Sequence, residues 1–235
     1  MNYAVILSGG IGTRMRSDGF PKQYLEVRGK PILFYALESF EACELVDKII
    51  IVANEQWTSQ ISDWAKQYGI TKLAAFAEPG RTRQHSLLNG LLACSQFGMT
   101  DEDIVLIHDA VRPLVSPELI RACVENLGEH DAVLPVVPIK DALYYSEDGL
   151  NISAAVDRSK LFCGQSPETF RLPQYLKLNQ DTPDDELALI RGSSELAFKN
   201  GLDVHMIVGE ETNFKLTTPD DMLRLHFYID HMQQH

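Results

Sequence analysis

The chain has 235 residues, 33 Asp and Glu against 21 Lys and Arg, and a formal net charge of -12. That length buries a real hydrophobic core in one α/β domain or two small ones, and 45% hydrophobic with 23% charged residues excludes intrinsic disorder. The acidity excludes general nucleic-acid binding, which needs a basic footprint, so an anionic substrate would have to meet positive charge gathered locally.

The elements read as follows in chain order. Tyr3 to Leu7 is a buried strand ending at Gly9-Gly10, with no basic stretch ahead of it as a signal peptide would have. Pro31 to Phe40 has helical spacing. Lys48 to Ala53 is a second strand, Glu55 to Tyr68 a helix, Lys72 to Phe76 a third strand and Gln84 to Ser95 a helix. Asp103 to His108 is a fourth strand, Pro117 to Gly128 a helix and Ala132 to Val137 a further strand. Between Pro138 and Phe170 the pattern changes. Ile139 to Tyr145 and Asn151 to Val156 flank Asp148-Gly149, a hairpin signal, and give an arm at about 138–165 serving as a lid or subunit contact. A helix from Asp184 to Asn200, a strand from Val204 to Val208 and a helix from Pro219 to Met232 complete the chain.

Alternating strands and helices with β-branched runs give the fold class: α/β, a mostly parallel sheet with helices on both faces. No stretch is long enough to span a membrane. Cys43, Cys94, Cys123 and Cys163 are scattered, without metal-ligand spacing, and read as free thiols of a cytoplasmic protein.

Ligand sites in such sheets lie at the carboxyl ends of the strands, and three features fall there. Ser8-Gly9-Gly10-Ile-Gly12-Thr13-Arg14, followed by Lys22, is neither a Walker loop nor a dinucleotide fingerprint, since Met15 stands where a third glycine would be required. Arg14 and Lys22 close behind the glycines favour an anion site over a plain turn. Arg81, Arg83 and Ser86 follow the third strand and can bind a phosphate or a base edge. Asp109 ends the fourth strand, where a carboxylate can hold Mg²⁺ and Arg112 can clamp an anion, or where the two can simply pair with each other. Lys215, read inside a short strand, can reach a phosphate. Arg158 and Ser166, on residues alone, read as structural. The histidines have no ligand spacing, and His108 is expected to position its loop.

In register, Gly-Gly-x-Gly-x-Arg-Met, Pro-Lys-Gln-Tyr-Leu, Lys-Pro-Ile-Leu, His-Asp-Ala-Val-Arg-Pro, Asp-Arg, Gln-Ser-Pro and Asn-Phe-Lys-Leu-Thr-Thr-Pro-Asp-Asp resemble the CTP-dependent cytidylyltransferases that act on polyol phosphates. The resemblance covers essentially the whole chain. It implies a single Rossmann-like nucleotidyltransferase domain, residues 1–235, and a homodimer in which the arm completes the partner's pocket. Ser8, Gly9, Gly10, Gly12, Thr13 and Arg14 would hold CTP, together with Lys22, Arg83 and Ser86. Arg14, Lys22 and Lys215 would be catalytic, and Asp109 would bind Mg²⁺. Asp109, Arg112, Lys140, Asp141, Arg158, Ser166 and Lys215 would face the polyol phosphate. Relatives often carry Thr-Asp before the helix near residue 195, Gln-Thr-Pro-Gln, and Thr after Lys-Asp, and the methylerythritol branch often has Ala-Ala in the glycine loop and Asp where this chain has Arg81. This chain has Arg191-Gly192, Gln165-Ser166-Pro167-Glu168, Gly9-Gly10 and Ala142. Gly9-Gly10 and Gly164 resemble the ribitol 5-phosphate branch, so CDP-ribitol synthesis is the expectation. Methylerythritol phosphate is the rival substrate and a non-catalytic nucleotide-binding relative the third reading.

Overall fold

The computed structural model describes residues 1–10 and 20–232. In chain order it runs β1 (Asn2–Leu7), a 3-10 turn (Lys22–Tyr24), β2 (Glu26–Val27), β3 (Lys30–Pro31), α1 (Ile32–Ala42), β4 (Lys48–Val52), α2 (Glu55–Gln67) and β5 (Leu73–Ala77). It continues with α3 (Arg83–Ser95), β6 (Ile104–Asp109), α4 (Pro117–Glu125), β7 (Ala132–Pro138), β8 (Leu143–Tyr145), β9 (Ala154–Val156) and β10 (Phe162–Gly164). The last elements are β11 (Glu168–Arg171), α5 (Leu172–Asp181), α6 (Asp184–Leu189), α7 (Ser193–Lys199), β12 (Val204–Val208) and α8 (Pro219–Met232).

The main sheet has the order β10-β7-β11-β6-β1-β4-β5, with β12 also paired to β7. β1 runs parallel to β4 and β6, β4 to β5, and β7 to β12, whereas β10 and β11 are antiparallel to their neighbours. The two-residue alternation of strands divides the core into two layers. Ala4, Ile6, Ile49, Ile51 and Leu106 face α1, α2 and α4. Tyr3, Val5, Ile50, Val52, Val105 and Ile107 face α3 and α5. α3 lies close because it presents Gly90: a Cβ there would come within 2.6 Å of Val5 Cγ1. A third cluster of Val27, Ile32, Leu216, Leu225 and Ile229 ties α8 and the segment before it to α1.

The mostly parallel sheet agrees with the sequence reading, and four details differ. The expected helix from Asp184 to Asn200 is two helices, because the Glu195 carboxylate accepts the Arg191 N–H at 2.9 Å and Gly192 is extended. The two β segments of the arm are shorter than expected, Leu143–Tyr145 and Ala154–Val156, and the loop between them is held by Asp148 Oδ1, which accepts the N–H groups of Leu150 and Asn151, both at 2.8 Å. β10, β11 and α5 return the chain into the sheet where the sequence reading had no regular element. Lys215 lies in an irregular segment, not a strand: a single backbone bond, Leu216 N–H to Val111 carbonyl at 2.9 Å, holds it, and the Leu216 side chain is fully buried.

Candidate active site

β1, β4, β5 and β6 are parallel, so their carboxyl ends share one edge. β6 delivers Asp109 there. β11 enters antiparallel, and its first residue, Glu168, pairs in register with Ile107 beside that end. α3 starts at the same edge, capped by the Thr82 hydroxyl, which accepts from His85 N–H, so its first residue Arg83 reaches inward.

These side chains form one charged network. Lys215 Nζ donates to Asp109 Oδ2 at 2.8 Å, and Arg112 Nε stands 3.8 Å from the same oxygen. Arg83 Nη2 lies 3.5 Å from Asp109 Oδ1 and 3.3 Å from Glu168 Oε1, while its Nη1 donates to Ser193 Oγ at 3.0 Å. Glu168 Oε2 accepts the Ser194 N–H at 2.6 Å and its hydroxyl at 2.7 Å. Arg112 also clasps backbone, donating to the Asn213 carbonyl at 2.7 Å and the Gly164 carbonyl at 3.3 Å. Burial alone would raise the Asp109 pKa, but Arg83 and Lys215 hold it well below the usual carboxylate range. Beside the network is a cavity of about 270 Å³, walled among others by Gly164, Gln165, Ser166, Arg191 and Glu195.

Asp109 is aimed from behind by a buried relay. The Arg112 carbonyl can only accept, so the His108 ring donates to it from Nε2 at 3.0 Å. In the neutral ring Nδ1 then accepts the Ser166 hydroxyl at 2.9 Å, and Ser166 Oγ accepts the Asp109 N–H at 3.2 Å. Burial pushes the His108 pKa down from 6.5 to about 4. In the unfolded chain His108 takes up a proton near pH 6.5, and in the folded one only near 4. Its contribution to stability is therefore complete above 6.5 and lost as pH falls toward 4. Urea unfolding at pH 7 and pH 5 is expected to show about 2 kcal/mol less stability from this residue at pH 5. The variant His108→Gln should lack that component, and an unchanged pH difference in the variant would exclude the neutral ring.

The expected site residues separate into groups. Asp109, Arg83, Arg112, Ser166 and Lys215 come together around the cavity. Ser8 has neither donor to spare: its N–H bonds the Val52 carbonyl at 2.9 Å and its hydroxyl the Tyr24 phenol at 3.0 Å, so it anchors the loop. Gly9 passes against Pro79, where a Cβ would meet side-chain carbons at 2.6 Å, and Gly10 is open. Lys22 Nζ donates to the Leu216 carbonyl at 2.6 Å, next to Lys215. The Ser86 hydroxyl closes the Gly80–Thr82 turn, accepting Gly80 N–H at 3.0 Å and donating to the Thr82 carbonyl at 2.9 Å. Gly12, Thr13 and Arg14 lie outside the described residues. Lys140, Asp141 and Arg158 are exposed on the arm and do not line the cavity of their own subunit. Lys140 pairs with Glu211 at 2.7 Å, and Arg158 donates to the Lys140 carbonyl.

Residue reasoning did not find Glu168, Ser193, Ser194, Gln165 and Asn213 as parts of this centre. The Gln165 amide ties the Glu210 backbone from both ends, donating to its carbonyl at 2.7 Å and accepting its N–H at 3.0 Å. Asn213 Nδ2 holds the Ser166 carbonyl at 2.7 Å. The available signal was the run Gln165-Ser-Pro-Glu168, whose polar side chains are all buried.

A divalent cation would find limited protein donors. No group of three His, Cys, Asp or Glu gathers among the described residues. Asp109 offers one carboxylate, and its Oδ1 contact with Arg83 is long enough to leave lone-pair capacity. One carboxylate completed by phosphate oxygens is an ordinary Mg²⁺ donor set. The residues therefore fit an ion whose coordination is completed by ligand oxygens, not an all-protein cage.

Comparison with known proteins accounts for this arrangement. The family model for IspD, 2-C-methyl-D-erythritol 4-phosphate cytidylyltransferase, matches residues 2–231. The ribitol-5-phosphate cytidylyltransferase of Streptococcus agalactiae serotype Ia is 34% identical over 221 residues, covering 94% of this chain and 92% of its own. The 2-C-methyl-D-erythritol 4-phosphate cytidylyltransferase of Rubrobacter xylanophilus is 38% identical over 221 residues, covering 94% and 91%. The crystal structure of the Francisella tularensis 2-C-methyl-D-erythritol 4-phosphate cytidylyltransferase superposes with a TM-score of 0.80 at 25% identity, over 96% of this chain and 98% of that one. No described helix is long and apolar enough to cross a membrane. A match spanning nearly the whole chain, with a cation-clamped Asp109 at the carboxyl edge of a parallel sheet, means that the chain belongs to the IspD family of cytidylyltransferases.

Proposed function

We propose that the enzyme transfers CMP from CTP to D-ribitol 5-phosphate, giving CDP-ribitol and pyrophosphate. One observation carries the choice of polyol. Gly164, Ser166, Glu168, Arg191 and Glu195, which belong to the segments where the chain departs from the pattern frequent in relatives or leans to the ribitol branch, all line the cavity beside Asp109. A wall rebuilt around the acceptor fits a changed acceptor. The Streptococcus agalactiae relative bears the same activity in its name. Methylerythritol phosphate is the second reading, favoured by the 38% identity to the Rubrobacter protein.

In this reading an oxygen of the acceptor phosphate attacks the α-phosphorus of CTP in line. The new P–O bond forms as the bond to the β-phosphate oxygen breaks, and pyrophosphate leaves with the electron pair. The nucleophile is already an anion, so no general base is required; positioning and electrostatics supply the catalysis. Gly9, Gly10, Gly12 and Thr13 approach the triphosphate with Arg14, and Lys22 and Arg14 bear on the charge of the α-phosphate. Lys215 and Arg112, both beside Asp109, present cations to the acceptor phosphate, and Arg83 serves CTP. Asp109 would hold Mg²⁺ with the triphosphate oxygens, and the ion would neutralise phosphate charge there. The functional unit is a homodimer, with Lys140, Asp141 and Arg158 reaching the partner's pocket. The arm supports this: Tyr144, Tyr145, Leu150 and Ile152 are exposed on it, an apolar surface without a core of its own.

Pyrophosphate release from CTP with D-ribitol 5-phosphate and, separately, with 2-C-methyl-D-erythritol 4-phosphate tests the choice. The expected result is a kcat/KM at least about 100-fold higher for ribitol phosphate, the discrimination that a lost buried hydrogen-bond set gives. A preference for methylerythritol phosphate would reverse the assignment.

A further inference from the structure

One nitrogen of Arg83 stands between two carboxylates. Its Nη2 lies 3.3 Å from Glu168 Oε1 and 3.5 Å from Asp109 Oδ1, and its Nη1 donates to Ser193 Oγ at 3.0 Å. Neither acid is free to follow it. Glu168 is buried, and its second oxygen accepts both the N–H and the hydroxyl of Ser194, at 2.6 and 2.7 Å. Asp109 is held on Oδ2 by Lys215 at 2.8 Å and on its backbone N–H by the Ser166 hydroxyl at 3.2 Å. The position of the guanidinium is therefore set by competition between the two acids.

That competition decides what Asp109 can still bind. Lys215 and Arg112 both stand on Oδ2, so Oδ1 is the oxygen through which Asp109 can take a divalent cation, and Arg83 is the group that can close it. Charge attraction between Arg83 and Asp109 alone would draw the pair to about 2.7–2.9 Å. They stand 3.5 Å apart, and Glu168 is the other carboxylate paired with Arg83 among the described residues. Its pull has a fixed origin, because Glu168 pairs in register with Ile107 on the strand that ends at Asp109.

We propose that Glu168 is a positioning residue that holds Arg83 off Asp109. It thereby keeps Oδ1 open for the divalent cation that arrives with the nucleotide, and it keeps the guanidinium available to the triphosphate. This rests on the CTP reading above and concerns neither the acceptor nor its contacts.

The test uses the full-length enzyme with CTP and no acceptor, so that no turnover takes place. Calorimetry reads the CTP dissociation constant with and without Mg²⁺, and the ratio of the two measures the coupling of ion to nucleotide. In Glu168→Gln the amide oxygen can still accept from Ser194, but its NH2 then faces Arg83, donor against donor. Arg83 should move onto Asp109, and the ratio should fall about 10- to 100-fold, the range for removing a group that orients a metal ligand. Adding Arg83→Met to Glu168→Gln removes the group that closes Oδ1. The double variant should recover the wild-type ratio within about two-fold, although its metal-free affinity for CTP is lower. Recovery by a second deletion is an outcome that a merely structural Glu168 does not produce. An unchanged ratio in Glu168→Gln would overturn the proposal, and so would a loss that persists in the double variant. Where circular dichroism shows Glu168→Gln unfolded, the comparison passes to Arg83→Met against Arg83→Met/Glu168→Gln. Their ratios should agree within about two-fold, and a larger difference excludes action through Arg83. A wild type whose CTP binding is not tightened by Mg²⁺ would instead overturn the reading on which the proposal rests.

Discussion

Replacing Lys22 by alanine is expected to lower kcat by about 100- to 1000-fold, the effect of removing one preorganised stabiliser of transition-state charge. The fold should survive. Lys22 Nζ donates to the Leu216 carbonyl at 2.6 Å, a bond from a charged group worth about 1.5–3 kcal/mol, so its loss lowers the thermal midpoint by about 3–12 °C. The value of that carbonyl is to hold the ammonium beside Lys215. Loss of kcat and kcat/KM together, with KM for CTP little changed, is the pattern of an interaction made in the transition state. Circular dichroism and steady-state kinetics on the same preparation decide the matter, and a folded variant with near-normal turnover removes Lys22 from the chemistry.

Asp109→Asn should damage both stability and activity. The carboxylate is only 13% exposed and is approached by Arg83, Arg112 and Lys215. An asparagine keeps the shape and leaves those cations to repel one another. Breaking such a partly buried ion cluster costs about 3–5 kcal/mol, a drop in Tm on the order of 10 °C for a chain of this size. The sign with pH is fixed by the depressed Asp109 pKa. The wild-type advantage is present above the ordinary carboxylate pKa of about 4 and is lost only as pH falls well below it. Calorimetry at pH 7 should therefore show the full deficit. A variant melting within about 2 °C of wild type would mean that Asp109 does not balance the cluster.

The sequence made some of this centre visible and hid the rest for a physical reason. Asp109 and Arg83 could be found because they flank a long buried strand and open a helix, positions that hydrophobic periodicity locates well. Glu168 could not. It comes from a four-residue strand that enters antiparallel between β6 and β7, too short to carry a period, and it is a buried acid that has meaning only beside Arg83 and Ser194. Lys215 was expected on a strand, but the alternation around it comes from Leu216 sinking into the third cluster while its neighbour turns to Asp109. The split between α6 and α7 escaped notice because apolar spacing runs through both helices; the break is made by Glu195 capturing a backbone N–H, a contest between side chain and helix that periodicity does not register.

The pairing of Lys215 with Asp109 joins residues 106 positions apart, and Lys215 is seated by a cluster that includes Leu225 and Ile229 of the final helix. A ribosome adding about 5–20 residues each second needs roughly 5–20 s to cover that interval. Throughout that time the nascent chain carries its acid without the lysine that neutralises it. The parallel sheet is already encoded upstream, but the charged centre is completed only by the segment that carries Lys215 and the helix after it. Emergence of that segment is thus the step that brings Asp109 its lysine.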